Sequence, residues 1–394
     1  MDRESQYLLH LLGAFLRQEE PEVPGDLNWE KLMRLSKIHN VAGILGYMAM
    51  SWPICPDAQL NTALRSACLN TIAVFNRRAA LANRLLEQLD SAGIDHIVMK
   101  GYVLREYYPV PELRTYGDID LVIHSEDRQK CNDLMLSLGY RLDHDWEPVY
   151  SYLREDEFYE IHTRIMEVNV SDKADHCAYF DAMWQFARPG SGCGFRFTPE
   201  FHFLYMITHI AKHVVGSGAG IRMYLDVAAF IRHFGDALDW ESIRRELEKL
   251  QLLEFANAVL TLTQRCFGVN SPLPLEAMDE PVWNAFLGFT LSGGIFGQVG
   301  RDSGTNSLKS QNRDSEKISR LGAFMKRLFP AAKTIETRYT YLQDKPWLLP
   351  AAWVHRLVKT RGAWNQHTQE AQNIMTADLQ EVQKIKDLYE QLGL

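Results

Sequence analysis

An α+β chain, with a small mixed sheet flanked by N-terminal and C-terminal helical domains, is predicted by three observations. Apolar residues recur at helical spacing from Gln6 to Leu89, β-rich runs cluster between Ile94 and Val170, and helical spacing returns after Pro199. At 394 residues the chain also exceeds the roughly 250–300 residues at which a single core stops growing, so more than one domain is expected. The composition shifts place an N-terminal helical region at 1–90, the sheet unit at 91–197 and a helical domain at 198–299. A polar loop or linker at 300–320 and a C-terminal helical region at 321–394 complete the chain.

Each element has its own signal. Leu32, Leu35, Ile38, Val41, Ile44 and Leu45 hold a helical period that Thr71–Leu89 repeats, and Asn28 stands where a cap belongs before Trp29. Ile94–Met99 and Ile119–Ile123 read as strands, separated by a helix and then a loop. Glu126–Leu138 reads as a helix closed by Gly139, since glycine adopts the left-handed terminus most easily. Tyr150–Arg154 and Phe158–Val170 read as further strands, the second alternating through Tyr159, Ile161, Ile165 and Val168. Helices follow at Glu200–Val215, Tyr224–Phe234, Trp240–Leu250 and Phe255–Phe267. Gly300–Ser319 is polar enough to be an exposed loop, a boundary or a lid. Beyond Leu321 come short helices broken at Pro330, Pro346 and Pro350, then a polar helix from about Thr376. No internal repeat is present.

Composition narrows the functional classes. With 46% hydrophobic and 23% charged residues the chain is neither disordered nor a rod. A formal net charge of −8 supplies no field attracting nucleic acid or an anionic membrane, so neither is an expected partner. No run of about 20 apolar residues is long enough to span a bilayer. The apolar stretch near Leu8 is interrupted by His10 and followed by Arg17, Glu19 and Glu20, unlike a secretory signal. Six scattered cysteines without a CxxC pair suit reduced thiols and a cytoplasmic location.

Chemistry concentrates around Gly117-Asp118-Ile119-Asp120. Side chains two apart on a strand share a face, so Asp118 and Asp120 converge. Such a pair binds hard divalent cations, and two Mg²⁺ ions about 3.5–4 Å apart are a recurrent device for phosphoryl or nucleotidyl transfer. Glu160 can supply a third carboxylate if its strand lies beside the first, and His162 shares its face. Taken alone, the paired aspartates are a solvated strand end. Lys100-Gly101 at the end of the preceding strand and Arg114 upstream of the acids change that reading, because they add phosphate-binding chemistry in a specific order.

A second constellation lies on a helix. His209 and His213 stand one turn apart with His202 two turns earlier, but no HExxH surrounds them. They read first as structural histidines at a domain interface, and otherwise as pocket residues together with Lys212, Arg222 and Asp226. The aromatics of Tyr102–Tyr108 and Tyr150–Tyr159 read as core and pocket wall, and Lys326-Arg327 and Arg356–Lys359 as solvated helix faces.

The segments MKGYVLREYYPVPELRTYGDIDLVI, YEIH, and HFLYMITHIAKH followed by RMYLDVAAFI carry a family resemblance. Over roughly 95–270 the chain resembles the nucleotidyltransferase superfamily with a DNA polymerase β-like palm, above all its bacterial branch of uncharacterised nucleotidyltransferases. WLLPAAWVHRL carries a weaker echo. The resemblance implies two Mg²⁺ or Mn²⁺ ions on Asp118, Asp120 and Glu160, which are then the catalytic acids. It also implies a nucleoside triphosphate with Gly101 as the phosphate-loop glycine; ATP is the default, and Lys100, Arg114, Gly117 and His162 complete the expected nucleotide site. The nucleoside monophosphate passes to a hydroxyl of an unknown acceptor, a small molecule or a protein. The chain departs from the family pattern in three ways: Tyr102 replaces the usual serine, the stretch from Gly101 to Asp118 is long, and the third acid is Glu. Two rival readings are a degenerate nucleotide-binding or protein-interaction module of the same fold, and a zinc hydrolase on Glu160, His162, His209 and His213.

Overall fold

The computed structural model describes residues 1–216, 218–293, 322, 325, 329–335, 339, 341–359 and 378–394. The expected polar loop at 300–320 and Lys326-Arg327 lie outside the described residues, as do the side chains of Arg356–Lys359. Four helices open the chain: α1 (Arg3–Arg17), α2 (Trp29–Ile38), α3 (Ala42–Ser51) and α4 (Ala58–Ser91). Three start on a side chain that satisfies an otherwise orphaned amide. Asp2 accepts from the Ser5 N–H at 2.9 Å, Asn28 from Lys31 at 2.9 Å and Asp57 from Leu60 at 2.7 Å.

A seven-stranded mixed sheet follows. Its strands are β1 (His96–Met99), β2 (Ile119–Ile123), β3 (Arg141–Trp146), β4 (Val149–Arg154), β5 (Glu157–His162), β6 (Ala187–Pro189) and β7 (Gly194–Phe197), in the order β3-β4-β5-β2-β1-β7-β6. β2 runs parallel to β5 and β1 to β7, and the other pairs are antiparallel. Within the sheet region lie α5 (Lys100–Leu104), α6 (Arg128–Ser137) and α7 (His176–Asp181).

The pleat sorts the side chains onto two faces. Ile119, Leu121, Ile123, Tyr150, Tyr152, Tyr159 and Ile161 point to the back, where Phe75, Ala82, Leu85 and Leu89 of α4 and Cys131 and Met135 of α6 cover them. On the front, Ile97, Met99 and Val122 join a larger core with α1–α3 and a helical layer. That layer consists of α8 (Pro199–Val215), α9 (Ile221–Phe234), α10 (Trp240–Lys249), α11 (Leu253–Phe267) and α12 (Glu280–Ser292). The last helix, Leu379–Gln391, adds Ile385, Leu388 and Tyr389 to the same core.

Several expectations need correction. β5 stops at His162, not Val170: the apolar alternation continues, but no neighbouring strand pairs with it. β3, β6 and β7 were not legible as strands; β3 is polar, and all three lie toward the sheet's edges. Pro346 and Pro350 open the 3₁₀ turn Pro346–Leu348 and the helix Leu349–Lys359 rather than breaking helices, because proline suits a helix's first turn. Gly139 does close the helix before it, at φ +84°. Among the described residues no helix is long and apolar enough to cross a membrane. All six cysteines are free thiols.

Candidate active site

The front of the sheet carries the acids because of register. Asp120 in β2 is the direct partner of Glu160 in β5 and of Met99 in β1, while Val122 faces His162. Strands about 4.8 Å apart therefore bring together residues forty positions distant in the chain. Asp118, two residues before Asp120, lines the same cavity at the strand's entrance. His162 Nε2 lies 2.9 Å from Asp120 Oδ1 and 3.5 Å from Glu160 Oε2. Asp120, Glu160 and His162 each offer a ligand atom within 4.8 Å of the others, the one such trio among the described residues. Asp120 is 2% exposed, so it is no solvated strand end. A carboxylate buried that deeply must be paired.

Its partners are positive. Lys100 Nζ donates to Asp120 Oδ1 at 2.5 Å, and His162 shares that oxygen. Burial raises the Asp120 pKa, but Lys100 and His162 outweigh it and hold the carboxyl well below the usual range. Burial likewise works against the Lys100 ammonium, and the Asp120 charge reverses that effect. His162 is also raised, its burial being more than offset by hydrogen bonds to Asp120 and Glu160. Asp118 is raised by burial and then by the Asp120 charge. One site thus holds one carboxyl pulled down and another pushed up.

Arg114 is placed differently from its expected role on a triphosphate. Its Nε donates to Asp226 Oδ1 at 2.9 Å and its Nη2 to Oδ2 at 2.5 Å, with Nη1 on the Thr115 carbonyl at 2.8 Å. Tyr108 Oη donates to the same carboxylate at 2.7 Å. This fork-to-fork pair, 6% and 3% exposed, ties the loop before β2 to α9. Gly101 explains itself here: a Cβ would lie 2.3 Å from Arg114 Nη1. Its missing side chain makes room for the clamp. Tyr102 turns to the back of the sheet, where its hydroxyl donates to Asn83 Oδ1 at 2.8 Å. The residue replacing the family's serine is therefore outside the cavity. At Gly117 a Cβ would meet nothing within 4 Å.

The helical layer supplies the opposite wall. Lys212, His209, His213, Arg222 and Asp226 all line the cavity, of about 630 Å³. Arg222 donates from Nη1 to the Thr115 carbonyl at 3.0 Å and hydroxyl at 2.8 Å, while its Nε is buried without a partner. Burial and then the Arg114 charge push its guanidinium down to about 10. Lys212 Nζ lies 3.7 Å from Glu167. His209 and His213 face each other, Nε2 to Nε2, at 3.1 Å. Burial holds both neutral, His213 at about 4 and His209 well below its usual value. They stand apart from the acidic trio, which removes the geometric basis for a zinc hydrolase on all four residues. Sequence reasoning missed Tyr205, whose buried hydroxyl lacks a partner in the cavity wall. It stands four residues before His209, so helical spacing was the available signal.

Fold and site together define a mixed-sheet α+β protein with a carboxylate–histidine cluster flooring a cavity. The chain belongs to the uncharacterised nucleotidyltransferase family, whose sequence model matches residues 25–268. No curated protein and no solved structure matches the chain.

Proposed function

We propose that the protein transfers a nucleoside monophosphate from a nucleoside triphosphate, ATP by default, to a hydroxyl of a small-molecule or protein acceptor in the cytoplasm. The observation that carries this reading is the pairing of Asp120 with Glu160 across parallel strands, with Asp118 alongside, on the floor of the cavity. A volume near 630 Å³ suits a nucleotide-sized ligand. The carboxylate oxygens of Asp118, Asp120 and Glu160 fit Mg²⁺ or Mn²⁺, which prefer hard oxygen donors. When bound, such an ion would neutralise phosphate charge and polarise the α-phosphoryl group.

The chain's own residues do the rest. Glu160, with a side chain 25% exposed, reaches the cavity and accepts the proton of the acceptor hydroxyl. The hydroxyl oxygen bonds to the α-phosphorus as the α–β anhydride breaks and pyrophosphate leaves. His162 holds Asp120 and Glu160 in place through its ring nitrogen. Arg222 and Lys212 face the departing phosphates from the helical wall, in the role first assigned to Arg114. We assign the palm to 91–197 and acceptor recognition to the helices after Pro199.

Thermal unfolding of the wild type and an Asp118→Asn/Asp120→Asn variant, with ATP, GTP, CTP or UTP and with or without Mg²⁺, tests the reading. Nucleotide at about 100 times its dissociation constant adds about 2.7 kcal/mol, a rise of several degrees. The rise is expected only with Mg²⁺ and both aspartates, measured from each protein's own baseline. A folded wild type that no nucleotide shifts would favour the degenerate module.

A further inference from the structure

Building on that reading, we infer that Lys100 takes the place of one of the two cations a palm of this kind is expected to hold, so that the chain works with a single divalent ion. Three observations converge on it. The ammonium lies 2.5 Å from Oδ1 of Asp120, the most buried of the three acids. A second ion bridging through that carboxylate would have to displace a cation already seated there. His162 falls on the same oxygen at 2.9 Å, so among the described residues both donors crowd Oδ1.

The backbone points the same way. Lys100 adopts φ +51°, a left-handed conformation that strains any residue bearing a Cβ and suits glycine. Glycine stands one position later, at Gly101, where φ is not left-handed. The left-handed backbone belongs to the same residue whose ammonium reaches Asp120. Charge closes the argument. Asp118, Asp120 and Glu160 less the Lys100 ammonium leave two negative charges, which one divalent ion cancels. Before a nucleotide binds, the carboxylates therefore offer a second ion no further negative charge to neutralise. The ammonium also brings three N–H donors, so it can hold non-bridging phosphate oxygens while its charge serves Asp120.

Counting Mn²⁺ tests this without reference to turnover. The full chain is titrated with Mn²⁺ at one equivalent of α,β-methylene ATP, free Mn²⁺ is read by electron paramagnetic resonance, and the ion carried by the nucleotide is counted with those on the chain. The wild type, Lys100→Gln and Lys100→Gly are compared. Lys100→Gly suits the observed φ, so it reports even if the glutamine variant folds poorly. One ion per chain in the wild type and two in each folded variant is the expected result. Two ions in the wild type, or one in the variants, overturns the substitution of lysine for metal and leaves the nucleotidyltransfer reading standing. No ion in any of the three proteins overturns both.

Discussion

At the scale of single residues the proposed reaction divides positioning from chemistry. Asp120 is almost fully enclosed with Lys100 and His162, whereas Glu160 faces the cavity from a half-buried position. Glu160→Gln is accordingly expected to lower turnover by about 10²–10⁴, the usual contribution of a positioned base, with little change in melting temperature. Asp120→Asn leaves the half-buried Lys100 ammonium and His162 without the carboxylate they share and is expected to lose both turnover and stability. Melting curves of the two variants distinguish them, and equal destabilisation would contradict these roles. The acids were legible because period two is local. The destinations of Lys100 and Arg114 were not, since their partners lie 20 and 112 positions away. Nothing near either cation in the sequence announces a carboxylate.

At the scale of elements, the Arg114–Asp226 clamp fastens the loop entering β2 to α9. Breaking a buried pair by removing one partner costs about 3–5 kcal/mol. Arg114→Ala and Asp226→Ala should each show a loss of that order in urea unfolding, and the double variant should lose much less than the sum. Additive losses would mean that the two side chains do not support each other. On α8, burial holds His202 and His213 at about 4 and His209 well below its ordinary value, which for all three is 6.5. The unfolded chain then binds protons that the folded chain refuses. The stability these histidines contribute is complete above about pH 6.5 and declines as pH falls toward 4, by about 1.4 kcal/mol per pH unit for each at its steepest. Chemical denaturation across that window should show the decline, and His213→Gln should flatten it; an unchanged slope in the variant would remove His213 from the account. Helices were the readable elements: α8 and α11 begin within two residues of their expected starts. β6 and β7, only three and four residues long, contain Pro189 and Gly194 and are too short for an alternation to register.

At the scale of the molecule, family membership and structural necessity have different limits. The match begins at residue 25, yet Leu8, Leu11, Leu12, Phe15 and Leu16 of α1 are essentially inaccessible within the main core. Each such side chain is worth roughly 1.5–3 kcal/mol, so together they rival the whole stability of about 5–15 kcal/mol. A chain beginning at residue 25 should aggregate or melt far below the full chain; an unchanged melting temperature would show α1 to be dispensable. The pairing of Asp120 with Glu160 also governs how this lineage can change length. Because alternate side chains of β5 face opposite ways, a single added codon within it must be absorbed as a bulge or else it turns Glu160 and His162 to the back and brings tyrosine forward. Substitution and two-residue growth keep parity. The genetic record of such a site should therefore be written in substitutions along the strand and in insertions confined to loops such as 163–175.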